Sequence, residues 1–489
     1  MKRIKLIIYF TISCLCCFGQ ADTLRLSLDH ILEIALDNAL DLKTAESQIK
    51  ENQLVIQRLQ EQIRPRLFAN ATLPNLSRAI ELRPLPDGRD AFVNRSTMNN
   101  RLELSLYYEV IATGGTLIAS SSLDRLDIFK SDLFDYNRTY FFTPIAVSLQ
   151  QPVFRFNELK WQKERYDLID AELVASQAVV REDVFLKAVQ YYNQAYQAQI
   201  DIAISQNKIK ETQALYEIKS RQAAIAKAQR VELLRLASEQ QSNQIEYEQS
   251  ILTWNEALMQ LCDFLQLKQS AAIRLEAPPD IAMIKIDTDF AISLATQNSH
   301  IQAKNTLRIK TAEAEIQRNN MDNGLEVSID LSLGLNKSDE QFSQLYTELL
   351  DRQTAAISLS VPLNGGKQRQ LNRAIAAEQL LRERLEIEQE ITDITRNVRT
   401  GVQAFNLLVR RIEVEQQNRA VSDEIYELVR QQFTLGRKGI IDLNIARAEQ
   451  EAALKSYYST LLRTIEKYYE LRKLCLYDFL LGKRLTPSG

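Results

Sequence analysis

Residues able to do acid–base, nucleophilic or metal chemistry are scarce and scattered. The chain holds two histidines, His30 and His300, each on a helix or at its start. Neither stands in a metal-ligand or triad spacing with a neighbouring Cys, Ser or Asp. Three of the five cysteines lie within the first 21 residues, which leaves Cys262 and Cys475. These two read as buried small hydrophobes, not as a disulfide framework. Gly114-Gly115 and Gly365-Gly366 are followed by no Gly-Lys-Ser/Thr, so they mark turns, not phosphate loops. The sequence therefore argues against an enzyme and against any catalytic site, metal site or cofactor. What remains is fixed charge: Glu326 and Asp330 in an alternating segment, and Lys438 and Asp442 at a helix break.

The elements that carry these charges follow from composition and period. With 60 basic against 63 acidic residues, the 489-residue chain has no nucleic-acid footprint. Its start, MKRIKLIIYFTISCLCCFGQA, places Lys2, Arg3 and Lys5 before an apolar run and ends on Gly19-Gln20-Ala21. That is the pattern of a secretory signal peptide over 1–21, cleaved after Ala21 and too short to span a bilayer. Thr-Ile-Ser before Cys14 raises a lipoprotein alternative, although Thr11 stands where a leucine is usual. No later stretch has eighteen consecutive apolar residues, so an exported chain entering a membrane must do so as β-strands.

Two long stretches, after Pro152 and after Pro362, are rich in Ala, Leu, Glu, Gln, Lys and Arg and contain no proline until Pro278 and Pro487. Because proline costs about 3 kcal/mol inside a helix, such stretches suit uninterrupted helices. In the second, Ile391, Ile394, Val398, Val402, Phe405, Val409 and Ile412 recur at spacings of three and four, the period of a coiled-coil seam. A helix from about Lys367 to Thr434 is too long for an ordinary globular core: roughly 100 Å at 1.5 Å per residue. Each stretch breaks once, at 223–230 and 435–440, giving two helical hairpins. The breaks correspond: Glu232 pairs with Asp442 and Glu239 with Glu449, each 210 positions apart. Upstream, IALDN ending at Asn38 matches LATQN ending at Asn298, 260 positions apart. The chain is thus a duplicated design.

Short alternating segments join these helices. AVSLQQPVF from Ala146 and AISLSVPLN from Ala356 are matched, as are the segments around Leu67, Ala69, Ala71, Leu73 and Val327, Ile329, Leu331, Leu333. Period two means strands with one apolar and one wet face, the latter including Glu326, Asp330 and Ser148. The apolar stripe suits lipid or a protein core. The long helices leave no compact layer to cover it, which favours a barrel in an outer membrane, closed by several copies around an axis. The change of offset from 260 to 210 puts about 50 extra residues in the first copy. They hold a hairpin signal turning at Thr113-Gly114-Gly115-Thr116, which either widens such a barrel or folds outside it. Pro152 and Pro362 are expected where a strand stops and a helix begins, with a φ suited to the helix's first turn.

In this order, QQPVF and VPLNGGK at the strand-to-helix junctions and FTLGRKGIIDLNIARAEQEAAL from Phe433 resemble the TolC family of outer-membrane efflux and secretion channels. The resemblance covers nearly the whole mature chain. It implies a mainly α fold with a small transmembrane β part, built from a duplicated helix–strand–strand–helical hairpin unit. Three copies would form an α-helical barrel continuous with a β-barrel, a passive duct from the periplasm through the outer membrane. The partners implied are a periplasmic adaptor (membrane fusion) protein, an inner-membrane transporter of RND, ABC or MFS type, and outer-membrane lipid.

Asp442 matches an acidic position that narrows the entrance in that family, and Lys438 a basic one that helps hold it closed. Ile445 stands where a second acid would be. Asp442 equally suits capping of the following helix. Leu435, Gly436, Arg437 and Gly439, with Ala226 and Lys227 of the first copy, form the hairpin tips and the expected adaptor contact. Pro152, Pro362, Gly365 and Gly366 form the barrel-to-helix junctions. The expected layout is helices at 22–66, strands with the extra hairpin at 67–154 and a coiled-coil hairpin at 155–267. A linker at 268–288 precedes helices at 289–323, strands at 324–363, a second hairpin at 364–482 and a tail at 483–489. The rival from another class is a secreted or surface-attached structural coiled coil without a pore.

Overall fold

The computed structural model describes residues 24–84, 88–130, 135–223, 230–267, 273–279, 284–321, 324–361, 363–364 and 366–485. The signal segment with Cys14, the first-copy tip residues Ala226 and Lys227, and Pro362 and Gly365 lie outside the described residues. The chain divides into two compact units. Unit 1 takes in Met1–Gln48, Leu173–Gln302 and Gln389–Gly489; unit 2 takes in Ile49–Glu172 and Ala303–Glu388.

In chain order the first repeat comprises β1 (Leu24–Leu26), α1 (Leu28–Asn38), α2 (Leu40–Ile63), β2 (Arg66–Pro84), β3 (Asp90–Val110), β4 (Gly115–Ile128), β5 (Asn137–Pro152), α3 (Glu158–Ala223) and α4 (Arg230–Leu265). The second comprises β6 (Ile273–Leu275), α5 (Thr288–Thr296), α6 (Ser299–Met321), β7 (Glu326–Asp339), β8 (Leu350–Ser360), α7 (Gly366–Thr434) and α8 (Ile440–Cys475). A 3-10 turn, Phe342–Tyr346, links β7 to β8, and β9 (Tyr477–Asp478) pairs with β10 (Lys483–Arg484) near the end.

The duplication is visible in the helix starts. Ser27 Oγ accepts from the His30 N–H (3.3 Å) and Asp287 Oδ1 from the Phe290 N–H (2.8 Å), two N-caps 260 positions apart. Each satisfies a backbone donor that the helix leaves free.

Unit 1 has three apolar clusters. In one, Leu26, Ile31, Tyr192, Leu261, Leu265 and Leu275 are buried together. Within the segment expected to link the two copies, 268–288, β6 pairs in parallel with β1 and buries Leu275 beside Leu26. Three residues are too few to show a period, so the sequence hid the strand. In the second cluster Val398, Val402, Phe405 and Val409 of the seam pack with Ala291, Ala295 and Leu471. Here α7 and α8 approach so closely that a Cβ on Gly401 would lie 3.0 Å from Leu471 Cδ2. Ile391, at one end of the seam, stays 40% exposed. The third cluster joins Leu215, Leu236, Tyr426, Phe433, Ile440 and Leu443 beside the helix breaks.

Unit 2 contains a six-stranded antiparallel sheet of order β2-β3-β4-β5-β7-β8. The extra hairpin is therefore built into this sheet, between β2 and β5. β2 and β3 run on past their other neighbours as a two-stranded ribbon, Leu82 pairing with Phe92. β3 before Leu102 leaves no period-two signal because Asn94, Arg95, Ser96, Asn99 and Asn100 put polar groups on both faces.

Candidate functional site

The register of the sheet sorts its side chains into two faces. One row across β2, β3, β4, β5 and β7 reads Leu67, Leu106, Ala119, Val147, Leu333, and the next row of that face reads Tyr108, Leu117, Leu149, Leu331 from β3 on. The opposite face reads Phe68, Ser105, Ser120, Ala146, Gly334, and then Tyr107, Ile118, Ser148, Ser332, Thr354. Alternate residues fall on opposite sides of a pleated strand, so every pair in register reinforces the same division. Ser148 and Ser332 hydroxyls lie 2.9 Å apart on the polar face, and Gln150 pairs with Asp330 there.

The apolar face is uncovered within its unit. Leu333, Ile357 and Leu359 are 61%, 76% and 66% exposed. A contiguous apolar surface of this kind marks a face that meets lipid or another protein surface. It ends toward the β7–β8 turn in aromatic pairs, Tyr140 with Phe342 (ring centroids 5.6 Å apart) and Phe142 with Tyr346 (5.1 Å). Beyond them lies a charged knot: Asp127, 1% exposed, takes Arg125 Nε at 2.8 Å, Arg138 Nε at 3.0 Å and the Tyr136 hydroxyl at 2.6 Å. An apolar band bounded by aromatic rings and then by charge matches the layering of a bilayer. The two outer strands, β2 and β8, each have a neighbour on one side only.

The strand-to-helix junction differs from the sequence expectation. Pro152 is the last residue of β5, but α3 starts only at Glu158, so Pro152 is not in a helix's first turn. The helix is opened by Asn157, whose Oδ1 accepts from the Lys160 N–H at 3.1 Å while its Nδ2 donates to Ile111 O at 2.7 Å. Gln151 Nε2 likewise donates to Thr113 O at 3.0 Å. These two side chains fasten the β3–β4 turn to the junction. Glycines serve there for separate reasons: Gly114 has φ +72°, and a Cβ on Gly115 would fall 2.3 Å from Gln151 Oε1 and 3.1 Å from Gln150 O. In the second copy Gly366 is the first residue of α7.

The second-copy helix break brings several of the named residues together. Gly436 has φ +74°, and its N–H and that of Arg437 return to Phe433 O (3.0 Å) and Gln432 O (2.9 Å), closing α7 with a left-handed residue. Leu435 is 69% exposed. Asp442 Oδ2 accepts from the Gly439 N–H at 3.2 Å, and Lys438 Nζ stands 3.7 Å from Asp442 Oδ1. Asp442 thus caps α8 and faces the helix dipole's positive end.

Sequence reasoning missed the polar layer behind this tip. Arg447, 4% exposed, reaches Glu239 Oε1 at 2.5 Å and Thr212 Oγ1 at 3.3 Å. Asn243 Nδ2 donates to Thr212 Oγ1 at 3.0 Å, and the Tyr426 hydroxyl donates to Glu211 Oε2 at 2.5 Å. Burial first, and then that carboxylate, push the Tyr426 phenol up to about 12. Lys219, nearly buried, pairs with Glu232 at 3.2 Å and lies 4.2 Å from the Phe433 ring centroid. The network ties α3 and α4 to α7 and α8. Its one sequence signal was an arginine on the apolar face of α8 that carries Leu443 and Ala446. Among the described residues no group of three or more His, Cys, Asp or Glu is placed to hold a metal.

Residues 291–475 match the model of the outer membrane efflux protein family. No curated protein matches the sequence. Several solved structures share the fold. One is the CmeC outer membrane channel of Campylobacter jejuni, with 13% identity and a TM-score of 0.67 over 92% of this chain and 85% of that one. Another is the open state of the MtrE outer membrane channel of Neisseria gonorrhoeae, with 15% identity and a TM-score of 0.61 over 94% and 90%. A third is the outer membrane protein VceC of Vibrio cholerae, with 11% identity and a TM-score of 0.64 over 94% and 96%. The resemblance to outer-membrane efflux channels therefore rests on a family match in the second repeat and a common fold across most of the chain.

Proposed function

We propose, from that family match and that fold, that this chain is one protomer of a homotrimeric outer-membrane channel, a passive exit duct for solutes driven by an inner-membrane pump. In this reading the mature protein, freed of its signal peptide after Ala21, sits in the outer membrane and extends into the periplasm. The apolar face of the sheet touches lipid, and the polar face with Glu326 and Asp330 lines water. β8 of one protomer pairs with β2 of the next, which removes both open edges. The observation that carries the reading is the six-stranded sheet itself: one face apolar and uncovered, the other polar, and both outer edges free.

The helical hairpins then line the periplasmic portion, with Asp442 and Lys438 at its entrance. Leu435, Gly436, Arg437 and Gly439, with Ala226 and Lys227, meet an adaptor that connects to a transporter of RND, ABC or MFS type. Efflux and type I secretion both suit such a duct. Detergent-extracted outer membranes should contain a heat-modifiable trimer that conducts in planar bilayers. Material that is monomeric and soluble without detergent would end the reading. At the entrance, Asp442→Asn should change single-channel conductance and its sensitivity to divalent cations. Unchanged values would leave Asp442 as a helix cap alone.

A further inference from the structure

We infer that the β3–β4 hairpin is part of the lumen wall, so that the channel's β-barrel has eighteen strands and a bore wide enough for bulky solutes. This rests on the trimeric channel reading above and deepens it. Three observations carry it. First, β2 bonds to β3 and β5 bonds to β4 over the length of the apolar band, so the sheet has no β2–β5 seam from which the hairpin could be shed. Second, the hairpin has the same two faces as its neighbours: Leu104 and Leu106 lie with Ala69 and Leu67, whereas Ser105 and Ser120 lie with Phe68 and Ala146. Third, Asn157 and Gln151 fasten its turn to the β5–α3 junction, where Gly115 leaves no room for a side chain.

Six strands from each of three protomers give eighteen; four, with the hairpin outside, would give twelve. Strands about 4.8 Å apart and tilted about 40° each take about 6 Å of circumference. Eighteen then enclose a backbone ring about 36 Å across and twelve about 24 Å. With about 5 Å of side chain on each side, the bores are about 26 Å and 14 Å. The hairpin also places its own charges on the polar face: Arg101 Nη2 lies 2.7 Å from Glu103 Oε2 and Nη1 3.7 Å from Asp124 Oδ1, and the Ser105 hydroxyl donates to Glu103 Oε1 at 2.6 Å. Glu109 lies on the same face of β3 and pairs with Arg66 of β2, so the hairpin sets Arg101 and the acids Glu103, Glu109 and Asp124 on the wall of each protomer.

The test uses the full-length trimer reconstituted in planar bilayers. Neutral polymer of about 20 Å hydrated diameter, added at the outer face, should enter the barrel and lower conductance, since a bore of about 26 Å admits it and one of about 14 Å does not. Ser120→Cys, at a partly exposed position of the polar face, should react with a charged, membrane-impermeant thiol reagent, and Leu104→Cys should not. The native background is quiet, because burial pushes the Cys475 thiol up to about 12 and raises that of Cys262. A direct image of the purified trimer should show eighteen strands in cross-section. A channel that conducts but excludes the polymer, leaves the Ser120→Cys thiol unmodified or shows twelve strands overturns this inference alone. A parent that forms no pore overturns the channel reading and this inference with it.

Discussion

Unit 1 and unit 2 use the same apolar residue types in opposite ways. In unit 1 Tyr192, Leu261 and Phe405 are at 0% exposure, enclosed by helices. In unit 2 Leu333, Ile357 and Leu359 stand on a sheet face at 61% or more. The first arrangement is what water selects, because apolar area removed from it is stabilising by roughly 25 cal/mol per Å². The second gains nothing in water and is stabilised only where the surroundings are themselves apolar. In the channel reading the contrast corresponds to two solvents acting on one chain: water around the helical unit and hydrocarbon against one face of the sheet.

The strongest way to probe this contrast is Phe405→Ala. Removing a fully enclosed ring should cost about 3–5 kcal/mol, seen as a lowered denaturation midpoint in detergent with or without lipid. Next is Leu333→Arg, which should cost about 2–4 kcal/mol of insertion into lipid vesicles if the residue lies near mid-bilayer. The helical unit should keep its circular dichroism in that variant. An insertion free energy equal to the parent's would place the face in water and break the comparison. Arg447→Ala should cost about 1–3 kcal/mol by leaving Glu239 without its main partner. Restoring most of that loss with the added change Glu239→Gln would assign it to the unpaired charge and not to lost packing. The smallest expected effect is Ser148→Ala, about 0.5–1.5 kcal/mol for the hydroxyl pair with Ser332. Because the polar face is lined with competing donors and water in the channel reading, the low end is expected there.

Much of the fold was legible because the relevant signals are local. The seam through Val398, Val402 and Phe405 and the helix ends at Thr434 and Ile440 follow from a period near 3.5 and from glycine at Gly436. The strand faces around Val147 and Leu333 follow from period two. Other features left little trace. β6 is too short to have a period, and β3 begins in a segment that is polar on both sides. The proline rule misjudged Pro152, since the helix start is set five residues later by the Asn157 side chain. At the tip, Asp442 could be read as a cap from its place after the break. The polar layer of Arg447, Glu239, Thr212 and Tyr426 comes together from four helices, and no spacing along the chain reports such a meeting.

The sequence by itself determined which of the long periodic segments are helix and which are strand, which side of each is apolar, and that the design occurs twice, because these depend on residue types at fixed short intervals. Only the tertiary structure decided the strand order, with β3 and β4 seated between β2 and β5, and the polar layer behind the tip. Both are choices among partners far apart in the chain, and an alternating strand offers the same two faces to any neighbour that matches its register.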